Sequence, residues 1–202
     1  MKNIWWMAVA ALLCAGEAGA QGRSMIGDVP LTNVKPYREL QDFGLCVAKN
    51  QRQASLAVIA AVPGSPEEAK VFKKRIYGEQ TCLFGGTSMS MPGMFARGAI
   101  AEGLLRTGGI PDSLRLAGVA RGEARELHGV ARCYTASHRA EVEKLMLIHP
   151  GSAEEVKAIA GLWQDFRTCM PNFNVRLNAP WIRFLLAEAL LRLPPNTTPA
   201  AG

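Results

Sequence analysis

Few residue types in this chain sit at spacings that could do chemistry. Met89-x-Met91-x-x-Met94 offers three thioethers, soft ligands of the kind that hold Cu(I). His128, His138 and His149 offer imidazoles, but none forms the H-x-x-x-H or H-E-x-x-H pattern that sets two rings on one helical face. Glu67-Glu68 and Glu154-Glu155 are paired acids, the usual raw material of acid–base work. Each pair follows a serine, Ser65 or Ser152, where a helix N-terminus favours negative charge, so capping accounts for them without catalysis. Arg97 and Arg183 stand five residues before Glu102 and Glu188, a candidate partly buried ion pair or anion site. Ser88 and Ser90 lack a G-x-S-x-G context, and no histidine or acid is spaced to activate them. Gly85-Gly86 alone makes no phosphate loop.

An internal repeat gives a standard for judging these candidates. At an offset of 87, Cys46, Pro63-Gly64-Ser65, Glu67, Glu68, Lys70 and Cys82 fall on Cys133, Pro150-Gly151-Ser152, Glu154, Glu155, Lys157 and Cys169. At an offset of 86, Arg97, Glu102 and Leu104-Leu105-Arg106 fall on Arg183, Glu188 and Leu190-Leu191-Arg192. Two cysteines, a turn and a helix in one order at one spacing point to duplication. Met89 and Met91 match Val175 and Leu177, so those side chains read as space-fillers rather than copper ligands. The histidines match Gln41, Gln51 and Val62, so a site built from them would belong to one copy only.

The elements that position these residues are helical. The first helix is expected from Asp42 to Val62, stopped by Pro63-Gly64. Ser65 with Glu68, and Ser152 with Glu155, are capping boxes that open the second helix of each copy. Val156, Ile159, Trp163 and Phe166 continue that helix as one apolar stripe. In an antiparallel hairpin, residues equally far from the tip lie opposite one another. Cys46 and Cys82 are equidistant from Gly64, and Cys133 and Cys169 from Gly151. The expected disulfides are therefore Cys46–Cys82 and Cys133–Cys169, each about 25 Å from its tip at about 1.5 Å per residue. Without a C-x-x-C, zinc is the poorer reading of the four. A third helix follows, near Gly93–Arg106 and Pro180–Leu193, with one apolar face and with Glu102–Arg106 and Glu188–Arg192 as i,i+4 pairs.

Residues 1–20 read as a signal peptide: Lys2, an apolar run from Ile4 to Cys14, and Ala18-Gly19-Ala20 before Gln21. Leu13 ahead of Cys14 argues against a lipoprotein signal. Removal of Cys14 leaves four cysteines, and an exported chain oxidises them. No later run reaches the roughly 20 apolar residues of a membrane span. The net charge of +6 is scattered, with no basic block and only 7% aromatic residues, which argues against nucleic acid.

The pattern C…P-G-S-x-E-E-x-K…C…P…R…A-E-x-L-L-R, present twice over most of residues 42–193, resembles a group of uncharacterised exported proteins of alphaproteobacteria. The resemblance implies export, helical structure and duplication, and it carries no activity and no functional residues.

The expected fold is all-α: two tandem pseudo-symmetric three-helix units, each a disulfide-stapled hairpin plus a third helix. The expected organisation is a signal peptide (1–20), an extended N-terminal segment (21–41), a first unit (42–106), a linker (107–127), a second unit (128–193) and a disordered tail (194–202). The expected function is a non-enzymatic binding or structural role in the periplasm, with no cofactor, no nucleic acid and an unknown envelope protein or small ligand as partner. A groove between the units is the default site. An enzyme with an unrecognised site is the alternative, and Cu(I) binding through Met89, Met91 and Met94 the third reading.

Overall fold

The structure, a computed structural model, describes residues 34–77, 82, 93–170 and 177–195. The proposed signal peptide lies outside these residues, as do Ser88, Ser90, Gly85-Gly86, Met89 and Met91. The described residues form eight α-helices with one π-helical and one 3-10 turn.

Helix α1 (Lys35–Asn50) carries Pro36 in its first turn, where a missing N–H costs nothing. This corrects the expected extended segment 21–41: from residue 35 onward the chain is helical, and Tyr37, Leu40 and Gln41 face inward. Pro36 starts a helix here rather than punctuating a loop. The long first arm is also corrected, because it is two helices. The chain breaks at Gln51 (φ −128°, ψ 44°) and resumes as α2 (Arg52–Ala60). Buried Ser55 donates its hydroxyl to the carbonyls of Val47 and Gln51 across that break.

Gly64, at φ 74°, turns the chain into α3 (Pro66–Val71), which widens into a π-helical turn, Phe72–Ile76. The second half follows the same order. α5 (Leu127–Ser137) breaks at His138 (φ −129°, ψ 36°), 87 residues after Gln51. α6 (Arg139–Leu147) leads to Gly151 (φ 69°) and α7 (Ala153–Thr168). Each half therefore holds four α-helices rather than three. Both disulfides form within their own half, Cys46–Cys82 with Cα atoms 5.6 Å apart and Cys133–Cys169 with 6.0 Å.

The remaining helices, α4 (Gly93–Thr107) and α8 (Ala179–Arg192), form the centre. α4 lies along both α1 and α8, while α5 lies along α8. Twelve of the 14 residues of α8 are buried, which corrects the expected single apolar face. The crossing is close because Gly98 faces Phe184: a Cβ on Gly98 would stand 2.1 Å from the Phe184 Cβ. Phe184 and Leu191 belong to the core of the first half, and Met94 and Leu105 pack against that of the second.

The expected linker 107–127 is more than a connector. It holds a 3-10 turn (Asp112–Leu114) with Leu114 buried. Arg115 Nη1 donates to the carbonyls of Leu191 (2.6 Å) and Leu193 (2.9 Å), which satisfies the open end of α8. Among the described residues no helix is long and apolar enough to cross a membrane.

Candidate functional site: buried ion networks and flanking grooves

Each central helix carries one arginine and one glutamate on the face it turns to the other. The side chains of Arg97 and Arg183 are 1% and 0% exposed, so the candidate ion pair is fully rather than partly buried. It is also reciprocal. Arg97 of α4 grips Glu188 of α8 with two bonds, Nε–Oε2 2.8 Å and Nη2–Oε1 2.7 Å. Arg183 of α8 grips Glu102 of α4 likewise, Nε–Oε2 3.0 Å and Nη2–Oε1 2.8 Å. Planar bidentate pairing of this kind is the strong geometry for guanidinium and carboxylate.

The remaining arginine nitrogen of each pair reaches back into its own half. Arg97 Nη1 meets Glu68 Oε1 at 2.8 Å and the Val58 carbonyl at 2.6 Å, and Nη2 adds the Ile59 carbonyl. Arg183 Nη1 meets Glu155 Oε1 at 2.9 Å and the carbonyls of Leu145 and Ile148, and Nη2 adds Met146. These carbonyls sit where α2 and α6 end and leave acceptors open. Glu68 and Glu155 therefore do more than cap. Ser65 and Ser152 accept from the Glu68 and Glu155 amides, and the carboxylates return to the amides of Gly64 and Gly151, each at 2.6 Å. Their other oxygens hold the buried arginines.

A third shell completes each carboxylate. Arg106 donates to Glu102 (2.6 Å) and Arg192 to Glu188 (3.1 Å), so each network holds two arginines and two glutamates and is neutral. Around Glu102 and Glu188 the shells differ at one place. Gln41 Nε2 donates to Glu102 Oε2 at 3.0 Å. The residue 87 later, His128, brings Nδ1 to 3.1 Å from Glu188 Oε2. Burial alone would raise the Glu188 carboxyl; the imidazole of His128 and the guanidinium of Arg97 outweigh it and hold that acid well below the usual carboxylate range. Burial, and then Glu155, push the Tyr37 hydroxyl far above the ordinary phenol range, which keeps it a donor to Glu155 Oε1 at 2.6 Å.

The other candidates scatter. His138 stacks on Tyr134 with centroids 4.3 Å apart, and His149 is exposed with Nδ1 3.0 Å from the Pro150 carbonyl. Met94 packs against the core of the second half, as a space-filler does. Glu67 and Glu154 are exposed. Among the described residues no three His, Cys, Asp or Glu side chains are placed to share a metal ion.

Two grooves do lie between the halves. One, of about 570 Å³, runs between Arg38, Gln41 and Arg106 on one side and Met146, His149 and Pro150 on the other. A second, tighter one of about 210 Å³ runs between Ala60–Pro63 and the side chains of His128, Arg132, Leu185 and Arg192. A third groove of about 700 Å³ lies within the second half, beside His138 and the 87% exposed Leu147. Sequence reasoning missed Tyr37, Gln41 and Arg132. The readable signal for Gln41 was its match to His128, because the two positions occupy equivalent places beside Glu102 and Glu188. Comparison with family models, with curated protein sequences and with solved structures gave no match.

Proposed function

We propose that this chain is an exported, periplasmic, duplicated helical protein with a non-enzymatic binding role, its two halves bolted into one rigid frame. The observation that carries the reading is the use made of its buried charges. Among the described residues all four buried glutamates, Glu68, Glu102, Glu155 and Glu188, are spent on the two buried arginines. A general acid needs a proton near its release point at the working pH. Glu188 is instead held ionised well below the usual carboxylate range, which suits a bolt and not an acid. Rigid walls on both sides of the inter-half grooves then suit recognition, since a preorganised site loses little entropy on binding. Export is supported by the leader-like residues 1–20 and by two disulfides, which persist in oxidising compartments.

Pull-down of envelope components with the oxidised protein tests this reading. The expected result is saturable recovery of a component whose mass is unchanged. Recovery of the component in a chemically altered form, with turnover, overturns it in favour of an enzyme.

A further inference from the structure

The two inter-half grooves are built from matching stretches of chain but differ in charge chemistry. In the tighter groove Arg132, on α5, makes no hydrogen bond or ion pair with any described residue, and its Nε is buried without a partner. Arg192 commits Nη1 to Glu188 but also leaves a buried, unpartnered Nε. Two guanidinium groups with unmet donors thus border one cavity. A buried donor left unpaired is costly, and more so when charged, so the arrangement gains from an acceptor. The wider groove has no buried, unpartnered guanidinium nitrogen among its described residues. There Gln41 and Arg106 donate to Glu102, exposed Arg38 donates its Nε to the Pro150 carbonyl, and the residue 87 before Arg132 is Leu45. Of the two grooves, only the tighter has a buried guanidinium nitrogen without a partner, and this does not follow from the matched frame.

We propose that this cavity binds a small organic carboxylate, its oxygens on Arg132 and Arg192 and its short apolar tail against Ala60, Leu185 and Ala189. The neighbouring acid cannot fill the role internally. Glu188 already faces Arg97 through both oxygens and Arg192 through one of them. The volume, about 210 Å³, is about seven waters at ~30 Å³ each, so the ligand is a short-chain acid. One cation is half-committed to Glu188 and exposed Glu126 stands at the rim, so the balance favours a monoanion over a dianion. The proposal rests on the binding reading above and gives it a ligand class.

Titration of the oxidised full chain with butyrate, followed by the arginine Nε–Hε NMR resonances, tests it. Saturable movement of the Arg132 and Arg192 signals is expected, with affinity falling about tenfold or more in R132Q, the loss of one charge-assisted bond. Inorganic phosphate and butylamine are the comparison probes. Phosphate binding as tightly as butyrate, or butylamine binding at all in this cavity, overturns the assignment. So does unchanged butyrate affinity in R132Q. If R132Q does not fold, V62E serves instead: Val62 is 71% exposed, and a carboxylate on that wall should abolish butyrate binding. Failure of butyrate with an unaltered envelope component still recovered removes this site and leaves the binding reading standing. Chemical alteration of that component removes the reading itself.

Discussion

At the scale of the residue, the four buried glutamates decide most of what the molecule can do. Glu188 meets two guanidinium groups and the ring of His128 inside a closed interior. Removing one partner of such a pair costs about 3–5 kcal/mol, because the other charge stays buried and unmatched. E188Q should therefore lose that much at neutral pH in urea unfolding, while E67Q, at the exposed neighbour of Glu68, should lose under about 1 kcal/mol. The pH dependence has a definite sign. The folded Glu188 carboxyl titrates below its unfolded value, so its contribution is complete above the ordinary carboxylate range, near about 4.3. It is lost as pH falls towards the folded value. The stability gap between wild type and E188Q should shrink as the pH drops through that window; a gap that widens there would sink the account of Glu188 as a paired anion.

Sequence reasoning reached these residues by matching Arg97 and Glu102 with Arg183 and Glu188, and it could not reach their pairing. The i,i+5 spacing within each helix suggested a local contact. The actual partners lie 91 and 81 residues apart, across a helix crossing that no local pattern encodes. Glu68 and Glu155 were legible as capping residues because the serine spacing is local. Their second bond, to a buried arginine, depends on where α4 and α8 come to lie.

At the scale of the element, the crossing of α4 and α8 depends on a small-to-large complement. Gly98 and Phe184 face each other, and they occupy matching positions at the offset of 86. The disulfides and turns were readable because a proline, a glycine or a cysteine marks each of them. The breaks at Gln51 and His138 were not, since neither position carries a helix-breaking residue type. The burial of α8 on all sides was likewise hidden, because a helix with Arg183 and Glu188 among its apolar residues reads as amphipathic until both charges find partners. The packing account makes a paired prediction. G98A should cost about 1–3 kcal/mol through overpacking, because its new Cβ meets Phe184 at a point near the backbone. G161A in α7, where a Cβ meets nothing within 4 Å, should instead stabilise by about 0.4–1 kcal/mol. Both are measured by thermal or urea unfolding. Equal effects would remove the close crossing as the reason for Gly98.

At the scale of the whole molecule, the two halves share their bolts and parts of their cores, and this bears on whether either is a folding unit. Division near Gly108 would leave Glu102 in one half and Arg183 in the other, and would part Arg97 from Glu188. Each isolated half would bury one arginine and one glutamate stripped of their strongest partner. At about 3–5 kcal/mol per broken pair, the two losses together come to about 6–10 kcal/mol, against a typical total of about 5–15 kcal/mol for a whole protein. The first half would also lose Phe184 and Leu191 from its core. The disulfide in each half offsets part of this, about 4 kcal/mol for a 36-residue closure on the chain-entropy estimate. That gain acts on the unfolded chain and supplies no partner for a buried charge. Separate oxidised chains 1–108 and 109–202 should therefore each show little cooperative melting by circular dichroism. Mixed, they should recover one cooperative transition, because the reciprocal pairs of α4 and α8 can re-form between chains as they do within one. Independent cooperative folding of either half would show that the crossing is an interface between finished domains, and that the buried arginines find other partners when it is absent.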